Sequence, residues 1–383
     1  MRITTRRTQA CAANKGLSFM SNPLFQPFQY KSLSLKNRIV MAPMTRGFSP
    51  EGIPGGNVVA YYQRRAKAEV GLILTEGTVV DRPASSVSPN YPRFHGAQAL
   101  HGWQKVVDAV HAEQGKVAPQ LWHQGIVKRS HPDWPAAPLE GPSGLLNATE
   151  TGGLAMDLDA IAATQQAFVR AALSAKQLGF DAIELHGAHG YLLDQFFWSS
   201  MNQRQDQYGG ARIEDRSRFV AEIVKSIRQA VGEDYPIILR ISQWKQQDYS
   251  ARIAQTPAEL SAWLQPLADA GVDIFHCSQR RIWEPEFANS DLNLAGWVKK
   301  LTGKPTISVG SLGLSSDFLG AFRGEGAAHQ SIDKVYAALD RGDFDLVAVG
   351  RALLADPEWV IKIRDNRMSE LIGFAKEHLG TLY

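Results

Sequence analysis

Three proton-bearing rings, His186, His189 and Tyr191, fall within one short stretch of the chain. Histidines at i and i+3 can share a metal ion. Asp194 and His123 are the candidates for further ligands, although neither stands at a recognisable zinc spacing. A second reading aims two imidazole N–H groups at one oxygen that becomes anionic during a reaction, where each donor contributes ~2.7–4 kcal/mol. Tyr191, with an ordinary pKa of about 10, keeps its proton at neutral pH. It can then serve as a general acid, a role that contributes about 10²–10⁴-fold. A third reading makes one histidine a satisfied core residue and packs Tyr191 beneath a loop.

Two glycine-led pairs, Gly310-Ser311 and Gly350-Arg351, follow short apolar runs late in the chain. Glycine lets backbone N–H groups approach a phosphate, and arginine adds a forked, charge-assisted donor. The plainer reading is that these glycines close tight turns. Gln120 offers a donor and an acceptor, Thr45 a rotatable hydroxyl and Arg240 a permanent charge. That set suits a flat heteroaromatic ring with an amide-like edge, and an isoalloxazine meets the description. Arg240 near its N1–C2=O edge would stabilise an anionic reduced form. A structural ion pair with a carboxylate is the other reading of Arg240.

These residues need a frame that brings positions 45 and 351 together. Short β-branched runs at 38–42, 71–76, 117–121, 181–185, 236–241, 273–277, 306–309 and 346–349 read as eight strands. Most are continuously apolar, as expected of parallel strands buried on both faces. Helices with readable ends lie between them. Thr256-Pro257-Ala258-Glu259 has a cap, a first-turn proline and an N3 glutamate, then Leu260, Trp263, Leu264 and Leu267 on one face before Gly271. Phe219, Val220, Ile223, Val224, Ile227 and Val231 form a second stripe ending at Gly232. Phe168, Ala171, Ala175 and Leu178 form a third, ending at Gly179. The economical fold is an α/β (β/α)8 TIM barrel, whose chemistry lies at the strand C-terminal ends and whose phosphate site follows strands seven and eight. The stretch 123–158 reads as an excursion over the mouth after strand three, and 187–212 as an aromatic loop after strand four.

The length of 383 residues fits one such barrel, and 44% hydrophobic with 21% charged residues is ordinary globular composition. No run is long and apolar enough to span a membrane. Arg2, Arg6, Arg7 and Lys15 stand before Met20, where there is no acid; the rest carries 37 basic against 38 acidic side chains. Nucleic-acid binding thus loses its compositional support. Cys11 and Cys277 cannot build a disulfide framework, a zinc ribbon or an iron–sulfur site, and a reducing cytoplasm is the expected compartment. Residues 1–20 read as a disordered tail, with an organellar presequence as the alternative. Residues 21–383 read as a single barrel domain, and a homo-oligomer is left open.

The run His186-Gly-Ala-His189-Gly-Tyr191-Leu-Leu-Asp-Gln-Phe resembles the signature of the old yellow enzyme family, which are FMN-dependent ene-reductases. The likeness continues through Asn202-Gln-Arg204 to Tyr208-Gly209-Gly210 and Glu214-Asp-Arg216. Asn37 to Arg46, Leu74-Thr-Glu76-Gly77, Pro119 to Gly125 and Val349 to Pro357 also match, so it covers about residues 24–365. The resemblance implies that Pro43, Met44, Thr45 and Gly77 touch the flavin, with Thr45 near C4=O. Gln120 would hold the pyrimidine edge and Arg240 the N1/O2 side. Gly310, Ser311, Gly350 and Arg351 would bind the phosphate. His186 and His189 would grip the carbonyl or nitro oxygen of an activated alkene, with His186 also beside the flavin. Tyr191 would supply the proton at Cα. The implied cycle is ping-pong: NADPH or NADH gives hydride to flavin N5 and leaves, and the alkene takes it at Cβ.

Position 45 is Thr where one branch of the family has Cys, and position 189 is His rather than Asn; both imidazole and amide donate. The stretches 243–256 and 278–293 match least and border the substrate mouth, with Trp283 among their aromatics. Two rivals stand beside the reductase. One is a metal-dependent barrel hydrolase or lyase using His186, His189 and Asp194, and the other an FMN-binding protein without reductase activity.

Overall fold

Eight parallel strands close on one another in chain order, as their double-sided apolar runs require. The computed structural model describes residues 22–129, 134–315, 327 and 331–383, so the expected tail at 1–20 lies outside the described residues. The strands are β1 (Ile39–Met41), β2 (Leu72–Val79), β3 (Val117–Trp122), β4 (Ile183–His189), β5 (Ile237–Lys245), β6 (Ile274–Ser278), β7 (Thr306–Val309) and β8 (Leu346–Val349). β8 pairs with β1 through Val347↔Ile39 and Val349↔Met41, which closes the barrel.

The inward positions explain both core and site. Val40, Leu72, Leu74, Ala118, Ala182, Ile238, Ile274, Ile307 and Leu346 pack into one buried cluster inside the barrel. Phe28, Leu33 and Leu35, from an N-terminal hairpin, belong to the same cluster and plug one end. Two residues further along the same strand phase, the side chains turn polar: Glu76, Gln120, Glu184, Arg240 and His276. Cross-strand register sets them side by side, with Gln120 opposite Glu184 and Arg240 opposite both His186 and His276.

The outer helices follow their patterns. Thr256 caps Pro257–Ala270 by accepting from the Glu259 N–H at 3.2 Å, and Gly271 ends the helix in the left-handed region. The stripe from Phe219 to Val231 is buried on Arg218–Val231, as are Phe168, Ala171 and Ala175 on Leu158–Gln177. Strands four and five run longer than their apolar segments. β4 includes His186 and His189 rather than ending before them, and β5 continues through Trp244 and Lys245. A register shift between Gly187 and His189 keeps the two paired, with His189 opposite Lys245.

The excursion after β3 departs from expectation, because none of its described residues lines the mouth cavity. It is tied instead to the loops that leave β2 and β3: Glu140 accepts from Arg82 Nε at 2.9 Å and Nη2 at 2.6 Å, and lies 3.0 Å from His123 Nε2. Burial opposes the Glu140 charge, but the His123 and Arg82 hydrogen bonds prevail and hold its pKa at about 2. The unfolded carboxyl, at about 4.3, binds its proton first, so this stabilisation is present above about pH 4 and is lost as pH falls toward 2. Glu140→Gln is therefore expected to flatten the loss of stability between those pH values in denaturant titrations. An unchanged acid limb would refute this. The C-terminal segment is pinned beside β1: Arg46 donates to the carbonyls of His378, Leu379 and Thr381, and Arg65 to that of Tyr383.

Candidate active site

At the C-terminal mouth the barrel opens a cavity of about 410 Å³, within the usual range of about 300–1,000 Å³ for cofactor sites. Pro43, Met44, Thr45, Gln120, His186, His189, Tyr191, Arg240, Gly310, Ser311, Gly350 and Arg351 all line it. Gly77 does not. A Cβ there would lie 2.5 Å from the Trp122 ring, so this glycine makes room for the indole that forms the wall.

The first wall loop is held by a carboxylate. Glu76 accepts from the Arg46 N–H at 2.8 Å and the Gly47 N–H at 3.0 Å, fixing the segment that carries Thr45. Burial raises the Glu76 pKa to about 7 despite those two donors. Gln120 is oriented from the next strand: its Nε2 donates to Glu184 Oε1 at 2.7 Å. Glu184 Oε2 in turn meets His276 Nδ1 at 2.6 Å, with both side chains fully buried. With its amide donor engaged there, Gln120 has its carbonyl oxygen left for a ring N–H. Arg240 is buried, and its Nε has no hydrogen-bond partner among the described residues. An unmet charged donor costs roughly 1–3 kcal/mol or more, which an electron-rich ring edge would offset.

At the other end of the cavity, Ser311 Oγ accepts from Arg351 Nη2 at 3.2 Å and donates to the Arg280 carbonyl at 3.0 Å. The loops after β6, β7 and β8 are thus joined beside Gly310 and Gly350. A Cβ on Gly350 would meet nothing closer than 3.6 Å, so the approach to its backbone is open. Gly310 is different: its Cβ would fall 2.7 Å from the Gln279 carbonyl oxygen and 2.9 Å from the Ile282 nitrogen. Gly310→Ala is expected to cost about 1–3 kcal/mol through overpacking against the Gln279–Ile282 loop. Thermal unfolding measures this, and an unchanged midpoint would argue against so tight a contact.

His189 and Gly190 both take left-handed backbone, φ +66° and +82°, which swings Tyr191 back over His186. Ser242 Oγ accepts from the His189 N–H at 2.9 Å, and Asp194 Oδ2 from the Gly190 N–H at 2.7 Å. Asp194 also pairs with Lys245 Nζ at 2.7 Å, both fully buried. The His186 ring lies 4.9 Å from that of Tyr191 and 5.3 Å from that of His189. Burial, followed by the Arg240 charge, drives both imidazoles well below the ordinary histidine value, so each is neutral at physiological pH. Burial pushes the Tyr191 phenol up to about 12, opposed by a hydrogen bond from Gln246.

The metal reading does not fit this donor set. Asp194 is committed to Lys245 and Gly190, His123 to Glu140, and among the described residues no three His, Cys, Asp or Glu side chains converge. Several wall residues went unrecognised in the sequence. Trp244 stacks on His189 at 4.4 Å, Tyr249 stacks on Trp244 at 5.4 Å, and Ser278 Oγ lies 2.8 Å from His189 Nε2. Ser278 ends β6, the position the barrel rule marks, and could have been read. Trp283 is placed elsewhere, in a separate cleft of about 180 Å³ with Lys334 and Phe344.

A parallel barrel whose mouth joins an amide, a buried arginine and two glycine-led loops has the layout of a cofactor site. Residues 23–370 match the model of the NADH:flavin oxidoreductase / NADH oxidase family. An NADH oxidase of Thermoanaerobacter brockii is 34% identical over 363 residues, covering 91% of this chain. The chain spans 52% of that relative's length. The 12-oxophytodienoate reductase 7 of Oryza sativa subsp. japonica is 31% identical, covering 90% of this chain and 88% of the relative. A structure of morphinone reductase in complex with tetrahydroNAD superposes with a TM-score of 0.76 at 28% identity, over 93% of each chain. The chain belongs to this family, the old yellow enzymes, and is an FMN-dependent NAD(P)H oxidoreductase.

Proposed function

We propose that the protein reduces activated C=C bonds, those of α,β-unsaturated carbonyls and nitroalkenes, in a ping-pong cycle with NADH or NADPH. The observation that carries this is the Tyr191 phenol beside two neutral imidazoles on one cavity wall. When bound, FMN supplies hydride transfer between the nicotinamide and the alkene β-carbon. Gln120 and Arg240 would hold its pyrimidine side, Pro43, Met44 and Thr45 the ring edge, and Gly310, Ser311, Gly350 and Arg351 its phosphate. His186 and His189 bind the substrate oxygen. As neutral imidazoles each has one N–H to donate, and that N–H stabilises the oxygen's growing charge by hydrogen bonding. Tyr191 holds a proton at neutral pH and delivers it to the α-carbon.

The cytoplasm is the compartment we assign. Among the described residues no helix is long and apolar enough to cross a membrane, and Cys277 is a buried free thiol. The test is an anaerobic visible spectrum. A yellow protein should bleach on adding NADH or NADPH and regain colour on adding 2-cyclohexenone or a nitrostyrene. Bleaching that neither alkene reverses would overturn the substrate reading, and a spectrum untouched by nicotinamide would favour a non-reductive flavin protein.

A further inference from the structure

Past the barrel rim, β5 delivers a side chain to the acid itself. Gln246 Nε2 donates to the Tyr191 hydroxyl oxygen at 3.0 Å. The two residues are clamped together by their neighbours. The Gln246 N–H donates to the His189 carbonyl at 3.3 Å, and the adjacent Lys245 is buried in its ion pair with Asp194, three residues after Tyr191. The amide therefore approaches the phenol from a fixed backbone on each side, although Gln246 itself is exposed.

We infer that Gln246 is a positioning residue for proton transfer, holding the Tyr191 hydroxyl through its lone pair so that the O–H points into the cavity. The inference rests on the proposed role of Tyr191 as acid. A hydroxyl that accepts from an amide has its single hydrogen left for another acceptor. Once the proton leaves, the same N–H bonds a phenolate, and a hydrogen bond to a charged oxygen is stronger than one to a neutral oxygen. Gln246 thus favours the state reached after the transfer more than the state before it. Other groups facing the phenol are Arg240 on β5, His186 on β4, and Tyr91 and Tyr249 on flanking loops. Only Arg240 among them carries charge at neutral pH, and it acts in the same direction.

The test places 3,5-difluorotyrosine at position 191, whose more acidic phenol titrates while the protein is folded, and follows it by ¹⁹F NMR. Gln246→Leu should raise the apparent pKa by about one unit. The isosteric Gln246→Glu, which accepts instead of donating when ionised, should raise it at least as far. Gln246→Leu should also slow 2-cyclohexenone reduction about tenfold in the wild-type background and have no effect in a Tyr191→Phe background. An unchanged pKa in both variants overturns the inference, as does an equal slowing with and without the phenol. If the unsubstituted protein reduces no activated alkene, the acid role falls and the inference with it. That outcome is distinguishable because the pKa shift is read without turnover.

Discussion

Tyr191→Phe is expected to slow alkene reduction by about 10²–10⁴-fold, the contribution of a placed general acid, while reduction of the flavin by nicotinamide stays near the wild-type rate. The separation follows from where the proton is needed. In the proposed cycle, reduction of a bound flavin by nicotinamide would require no proton on carbon, whereas reduction of the alkene at Cβ would leave carbanion character at Cα for Tyr191 to quench. The phenylalanine keeps the ring against Trp122, 4.8 Å away, and against His186, so the wall keeps its shape. Stopped-flow measurement of each half-reaction separates the two. Equal losses in both would remove Tyr191 from its assigned role and point to a packing function instead. A nitroalkene, whose nitronate can take its proton from water after release, should be less sensitive than an enone.

Lys245→Met is expected to destabilise the fold by about 3–5 kcal/mol, because it leaves the fully buried Asp194 carboxylate unpaired. The methionine replaces the aliphatic stem, so the loss isolates the missing charge rather than missing volume. Replacing both partners, Lys245→Met with Asp194→Leu, should restore much of that stability, since an apolar pair of similar size carries no desolvation cost. It should not restore alkene reduction, because Gly190 then loses the carboxylate that accepts its N–H beside Tyr191. Urea unfolding gives the first comparison and single-turnover rates the second. A double variant as unstable as the single one would show that the pair is not limited by its buried charge.

The contrast between these two sites shows what a linear reading reaches. Gln120 and Arg240 stood out as polar side chains in apolar runs, and their inward direction follows from strand alternation. The orientation of the Gln120 amide did not, because Glu184 and His276 set it from strands 64 and more residues away. Gly77 sat in a familiar motif, but its function is to accommodate Trp122, a contact that exists only across the β2–β3 ladder. The extension of β5 was hidden for a different reason. Trp244 and Lys245 do not extend the apolar run, and they become strand only because the His189 turn continues the pairing opposite Lys245. Asp194 could be weighed as a metal ligand from its position near the histidines. Its real partner lies 51 residues on, in a stretch that reads as loop. Local chemistry was thus legible wherever a strand ended at its apolar run, and illegible where a partner from another strand decided the geometry.

The wall of the cavity begins at Ala42 and is completed at Leu379, with β1 paired to β8 and the final segment held by Arg46. The cavity is therefore a property of the closed barrel and not of any half of it. A chain that stopped before β8 would keep Gln120 and the histidines but lack Gly350, Arg351 and the wall that Leu379 completes.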